Sequence, residues 1–299
     1  MVVSEGVVRD LLRLIVWYPV RWVVQILPVG AGLMLFRAMG DMHYVLSRGK
    51  RQRLLANLSD AGLDACNKHL VVREYFRNHY VDRLFIFIVP KFDSSQIRRY
   101  VELEGVEHLE DALGRGKGVV LVHGHFGPVH MPLVVLARCG FRIKQLGLPS
   151  DDGLSWIGRN VAYRLRLRYE AKIPAEILRA DSFLRPVFVW LAHNGCIMTT
   201  GDGTGTQQRL GKYESFTFLG RPTAFPLGPA TLAQKTSAAF MPVFITPAEN
   251  NRYRITIEPP LNPKSQQELS AVELTALFVQ RLETYVRRYP GLMHFLDRL

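Results

Sequence analysis

Residues 118–140 read GVVLVHGHFGPVHMPLVVLARCG, and their pattern decides the fold. Val119 to Val122 form an unbroken apolar run, which marks a strand buried on both faces rather than one with a wet side. Gly124 to Val129 form a turn, and Met131 to Cys139 form a helix closed by Gly140. Downstream, strands at Arg142–Leu146, Cys196–Met198, Phe240–Ile245 and Tyr253–Glu258 alternate with helices over Ser155–Tyr169, Glu176–Ala192 and up to Thr236. Residues 201–230, rich in Gly, Thr and Pro, read as a long loop. Ser270-x-x-Glu273 fits a capping box, followed by Leu274, Phe278, Leu282 and Tyr285 on one helical face. This alternation predicts an α/β fold with a mostly parallel central sheet flanked by helices.

Upstream of the strand the pattern is helical. The spacing predicts helices over 106–115 and 68–89, the latter stopped by Pro90, and over 5–58, with breaks at Pro19, Pro28 and near Gly40. We divide the chain into an N-terminal helical segment, 1–60, and an α/β domain, 61–299. At 48% hydrophobic and 21% charged residues the chain is globular, which excludes a disordered or collagen-like polymer. The 38 Lys+Arg against 26 Asp+Glu give +12, a balance suited to polyanionic partners. No zinc-ligand spacing or helix-turn-helix accompanies that charge, so no nucleic-acid partner is expected and an anionic membrane surface is the better match. The longest N-terminal stretch without Asp, Glu, Lys or Arg, Trp22–Phe36, is 15 residues and contains Pro28, short of the ~20 that span a bilayer. Trp17, Tyr18 and Trp22 set among arginines instead suit a helix lying at the interface, with a buried helical hairpin as the alternative. Cys66, Cys139 and Cys196 fit no disulfide framework and read as buried thiols of a reducing compartment.

The segment GVEHLEDALGRGKGVVLVHGHFG (105–127) resembles the approach to the His-x4-Asp/Glu motif of bacterial lysophospholipid acyltransferase-like proteins. GDGT (201–204), FLGRPTAFPLGPATLA (218–233), MPVF (241–244) and YPGLMHF (289–295) resemble later blocks of that superfamily in the same order. The branch it is most similar to contains the lipid A biosynthesis and phosphatidylinositol mannoside acyltransferases. The resemblance implies a glycerolipid-acyltransferase-like fold and transfer of a fatty acyl group from acyl carrier protein or acyl-CoA to a lipid or lipid-like acceptor. It needs no cofactor or metal, and it implies a peripheral location on the cytoplasmic face of the bacterial inner membrane.

The resemblance makes His125 the general base. A hydroxyl is a poor nucleophile at neutral pH, and histidine is the side chain that can take its proton there without a perturbed pKa. The chain departs from the motif at the next position, because the expected carboxylate is His130. An imidazole can fix a tautomer but brings no negative charge to an imidazolium. Three explanations stand: Asp202, in a Gly-rich turn after a strand, supplies the acid; the acceptor is an amine needing less help; or the protein binds acyl chains or partners without turnover. His123, His125 and His130 would also suit a metallohydrolase, although no acid accompanies them. Arg164 and Arg166 lie where the resemblance implies an arginine for a phosphorylated acceptor or carrier, and Arg221 is a further candidate. A solvated cationic face accounts for these arginines equally well. Gly127 is a candidate for bringing a backbone amide near a developing oxyanion, or simply a turn glycine.

Overall fold

A computed structural model describes residues 6–63, 67–147, 151, 153–203, 210–262 and 269–298. It opens with helices α1 (Val7–Ile15), α2 (Arg21–Ile26), α3 (Val29–Leu46), α4 (Arg48–Asp60), α5 (Lys68–Leu84) and α6 (Ser94–Tyr100). Strands then alternate with helices: β1 (Val101–Glu104), α7 (Val106–Gly114), β2 (Val119–His123), α8 (His130–Arg138), β3 (Ile143–Gly147), α9 (Arg164–Glu170), β4 (Glu176–Arg179), α10 (Arg185–Ala192) and β5 (Cys196–Thr200). A hairpin, β6 (Tyr213–Phe218) and β7 (Arg221–Pro226), leads to α11 (Gly228–Thr236), β8 (Ala239–Pro247), β9 (Tyr253–Ile257) and α12 (Ala271–Arg288).

The main sheet has the order β1-β9-β8-β2-β5-β3-β4. From β8 to β4 every neighbour pair is parallel, and β9 runs antiparallel to β8 and carries β1 beside it. β2 is therefore interior and wholly buried. Its two faces feed different apolar layers: Val119 and Leu121 join one with α5 and α8, and Val120 and Val122 join another with α11 and α12. That alternation follows from the two-residue period of a strand. α12 begins at a complete capping box, in which the Glu273 N–H donates to Ser270 Oγ and the Ser270 N–H to Glu273 Oε2.

Several expectations are corrected. Pro19 does not break the chain, because Val16–Val20 widen into a π-helical turn that accommodates the ring. Gly40 lies inside α3 and lets it approach α5: a Cβ there would sit 2.6 Å from Arg77 Cα. Residues Glu176–Arg179 form an edge strand, paired with β3, instead of opening a helix. Residues 213–226, read as loop, make the β6–β7 hairpin, whose Leu219-Gly220 turn has φ of 52° and 74° at its two central residues. The charged edge strand β1 had no sequence signal of its own. Cys139 is exposed, whereas Cys196 is buried and its thiol is pushed up to about 12 by burial; Cys66 lies outside the described residues.

The N-terminal helices divide between two environments. Val24, Val29, Leu33 and Phe36 are buried in the core, and Trp17 turns inward with its ring edge-on to Phe87 at 4.9 Å. Val7, Val8, Leu11, Leu12, Ile15 and Ile26 are exposed, as is Trp22 at 53%. Among the described residues no helix is long and apolar enough to cross a membrane. Gly40→Ala is expected to destabilise the fold by about 1–3 kcal/mol through overpacking against α5, despite alanine's higher helix propensity. Urea unfolding of the variant beside wild type checks this.

Candidate active site

β2 and β5 lie side by side, with His123 in register with Thr200. Each strand then ends in a glycine, Gly124 and Gly201, and the Gly201 N–H donates to the His123 carbonyl at 2.7 Å. Both glycines are required by space: a Cβ on Gly124 would lie 2.8 Å from Leu282, and one on Gly201 would lie 2.5 Å from Val122. Two residues past the register pair, the chains present His125 and Asp202 to each other. Asp202 Oδ1 accepts from His125 Nδ1 at 2.6 Å, and Oδ2 accepts from the His125 backbone N–H at 2.5 Å. One carboxylate thus holds both the ring and the main chain of His125. With Nδ1–H committed to Asp202, a neutral His125 carries its lone pair on Nε2.

Electrostatics follow from this contact. Burial pushes the His125 imidazole down, but the charge and hydrogen bond of Asp202, with a further pull from Asp82, outweigh it, and the net direction is up. Burial pushes the Asp202 carboxyl up, and the charge and hydrogen bonds of His125 outweigh it, so the net direction is down. The His125 side chain stays 21% exposed and that of Asp202 10%.

The C-terminal segment lashes the turn from the other side. The His294 N–H donates to the His125 carbonyl at 3.0 Å, His294 Nε2 meets the Gly127 carbonyl at 2.7 Å, and Phe295 lies edge-on to the His125 ring at 5.1 Å. Gly127 has φ of 68°, the conformation that favours glycine, and a Cβ there would lie 2.6 Å from Ile245 Cγ2. Its N–H donates to the Leu292 carbonyl, so that amide is already committed and is not a spare oxyanion donor. Asp82 on α5 accepts from the Val129 N–H at 2.9 Å, with its other oxygen 3.7 Å from His294 Nδ1. Sequence reasoning missed both Asp82 and His294. The only signal for the latter was the YPGLMHF block.

His130 takes another place. It stands in the first turn of α8 and makes no hydrogen bond to His125; burial and the nearby Arg166 push its imidazole down, against Asp82 and Glu170. His130, Asp82, Arg166 and Glu170 line a cavity of about 640 Å³ that α1, α5 and residues 154–163 complete. His125 is not part of that wall. Arg166 donates to the buried Glu170 at 2.6 Å, and Arg164, one residue-pair earlier on α9, is exposed. Arg221 lies away on β7, donating to the Asp60 carbonyl. His123 is buried, with Nδ1 on the Gly124 carbonyl and its pKa pushed down to about 4 by burial. Among the described residues no three His, Cys, Asp or Glu side chains converge as metal ligands, so the three histidines of the motif do not form the cluster their spacing allowed.

The sequence model of the bacterial lipid A biosynthesis acyltransferase family matches residues 8–299. The chain belongs to that family. It is similar to the phosphatidylinositol mannoside acyltransferase of Mycolicibacterium smegmatis (strain ATCC 700084 / mc(2)155), with 26% identity over 217 residues. It is also similar to the protein of the same name from Mycobacterium tuberculosis (strain ATCC 25618 / H37Rv), with 24% identity over 221 residues. Each match covers 71% of this chain and 66% or 64% of the relative, slightly less than two thirds of those proteins' length.

In this family member the His125–Asp202 contact predicts a measurable titration. By NMR, His125 in wild type titrates above the ordinary histidine value of about 6.5, and in Asp202→Asn below it, because burial, the largest influence, is then opposed only by the charge of Asp82. The stability from a raised histidine is present below its unfolded pKa and lost as pH rises through its folded one. That from a lowered aspartate is present above its unfolded pKa and lost as pH falls through its folded one. Asp202→Asn therefore costs more stability at pH 5 than at pH 8, as urea unfolding at the two pH values checks.

Proposed function

We propose that the protein transfers a fatty acyl group from a thioester, acyl carrier protein or acyl-CoA, to a hydroxyl or amine of a lipid or lipid-like acceptor. The observation that carries this reading is the paired hydrogen bonding of His125 by Asp202. Family membership and the names of the two relatives support a lipid acceptor and, more narrowly, a glycolipid one.

In the proposed reaction His125 Nε2 takes the proton from the acceptor hydroxyl as its oxygen attacks the thioester carbonyl. The new C–O bond forms, the carbonyl electron pair moves onto oxygen, and the resulting imidazolium is stabilised by the Asp202 carboxylate. Collapse of the tetrahedral species breaks the C–S bond. The departing thiolate regains the proton from Nε2, so the site returns to its starting state with an ester and a free thiol as products. An amine acceptor follows the same path with nitrogen in place of oxygen. Asp202 takes the part that the motif assigns to position 130, which frees His130 to serve as cavity wall.

The proposed setting is the cytoplasmic face of the bacterial inner membrane, held peripherally. The exposed apolar residues of α1 and α2, together with the net charge of +12, support docking on an anionic lipid surface. Replacing Leu11, Trp22 and Ile26 with serine is expected to lower co-sedimentation with phosphatidylglycerol vesicles by about ten-fold or more, from the lost burial of three large side chains.

The catalytic assignment is tested by following product mass with a long-chain acyl-CoA or acyl carrier protein donor and a lipid extract as acceptor. His125→Ala is expected to lower kcat by about 10⁴-fold to a residual rate, and Asp202→Asn by about 10²–10⁴-fold. His130→Gln, which removes an imidazole that has no bond to the base, is expected to change kcat by less than about ten-fold. Full activity in His125→Ala overturns the assignment.

A further inference from the structure

The cavity wall contains basic residues from four helical segments, and one end of it is unbalanced in charge. Lys50 of α4 and Arg83 of α5 both line it there, beside His43 and His79. The Lys50 ammonium is restrained over the rings of Tyr75 and Phe76, 5.1 Å and 5.6 Å from their centroids, and forms a long ion pair with Asp297 at 3.8 Å. Arg83 is exposed and makes no hydrogen bond or ion pair with another described residue. The two acids of the cavity wall are engaged elsewhere, Glu170 by Arg166 and Asp82 by the Val129 N–H.

The neighbouring imidazoles do not offset this charge. His79 Nδ1 is buried with no hydrogen-bond partner, and His43 Nδ1 meets the Tyr80 hydroxyl at 3.3 Å. Burial first, and then nearby charges that include Lys50 and Arg83, push both imidazoles down. Two cations on separate helices face one concavity, and among the described residues only one of them, Lys50, has an ion-pair partner (Asp297), which leaves a positive potential that an oxyanion would relieve. A guanidinium can meet two oxygens of a phosphate at once, and an ammonium adds a point charge that adapts to a third. At about 640 Å³ the cavity falls in the range of sites that take small ligands, roughly 300–1,000 Å³.

We propose that Lys50 and Arg83 form an anion subsite that binds a phosphate group carried by one of the two acyl-transfer substrates. The proposal rests on the acyl-transfer reading for the identity of the carrier molecule, not for the binding itself. The phosphate belongs either to the carrier of the donor thioester or to the headgroup of the acceptor lipid. In both cases the subsite holds the polar end of the substrate in a cavity whose wall does not include His125, so it governs substrate affinity rather than the chemical step.

Isothermal titration of the full chain in neutral detergent tests this, with coenzyme A and dihexanoylphosphatidic acid as the two phosphate-ester probes. The proteins are wild type, Lys50→Gln/Arg83→Gln, and Arg288→Gln as a control for loss of a positive charge outside the cavity wall. Wild type is expected to bind at least one probe. The double variant is expected to bind it about ten-fold or more weakly, as the loss of charge-assisted hydrogen bonds requires, and the control within about two-fold of wild type. A response to coenzyme A assigns the phosphate to the donor, and one to phosphatidic acid assigns it to the acceptor. Binding of neither probe, equal affinity in wild type and double variant, or an equal loss in Arg288→Gln overturns the subsite. Because binding is read without turnover, a protein that binds in this way but never transfers an acyl group overturns the proposed reaction and leaves the subsite standing.

Discussion

The site depends on the parallel register of β2 and β5. His123 and Thr200 are paired, and each strand continues through one glycine before presenting a polar side chain. The reach from strand end to functional residue is therefore identical on both sides, and the His125–Asp202 bond closes across it at 2.6 Å. A shift of one residue in that register would turn one partner to the opposite face of the sheet. The placement is also where an open α/β sheet presents ligands: after β2 the chain crosses β5 to reach β3, and after β5 it crosses back past β2 to β8. Side chains at the carboxyl ends of these central strands are positioned by strands whose residues are almost all buried.

The rest of the fold secures this pair against burial's opposing pull. A buried imidazole alone favours its neutral form, and a buried carboxylate alone favours protonation. Together they reverse both tendencies, so each depends on the other for its charge. The C-terminal segment adds rigidity from outside the sheet, with His294 bonded to the carbonyls of His125 and Gly127. Asp82 adds a second negative charge from α5 while pinning Val129 at the start of α8. His125 therefore sits in a frame assembled from β2, β5, α5 and the C-terminal turn, which holds its imidazole in one tautomer.

What the sequence made legible was local. The apolar run of β2 and the capping box of α12 carry their signals within a few residues, and both elements are present. The edge strands were hidden because their residues are charged or exposed on one side: β1 contains Glu102 and Glu104, and β4 begins at Glu176. The β6–β7 hairpin was masked by Pro222 and Pro226, which an edge of a two-stranded ribbon tolerates where a central strand would not. Pro19 and Gly40 were both read as breaks and neither is one, the first absorbed by a wider turn and the second serving helix contact. In the site, spacing drew attention to His130, five residues from His125. The partner that bonds His125 is 77 residues away, and was open to sequence reasoning only as one explanation among three. Asp82 and His294 reach the site through packing of α5 and the C-terminus; nothing in the residues around Asp82 announces it, and only the YPGLMHF block pointed toward His294.

The central claim is that His125 and Asp202 act as one unit, and a double-mutant cycle on acyl transfer addresses it directly. Steady-state turnover is compared in wild type, His125→Ala, Asp202→Asn and the variant carrying both changes. If the carboxylate works only through the imidazole, its removal costs nothing further once His125 is gone, and the double variant matches His125→Ala. Losses that multiply instead would mean that Asp202 acts independently of His125, and would contradict the account.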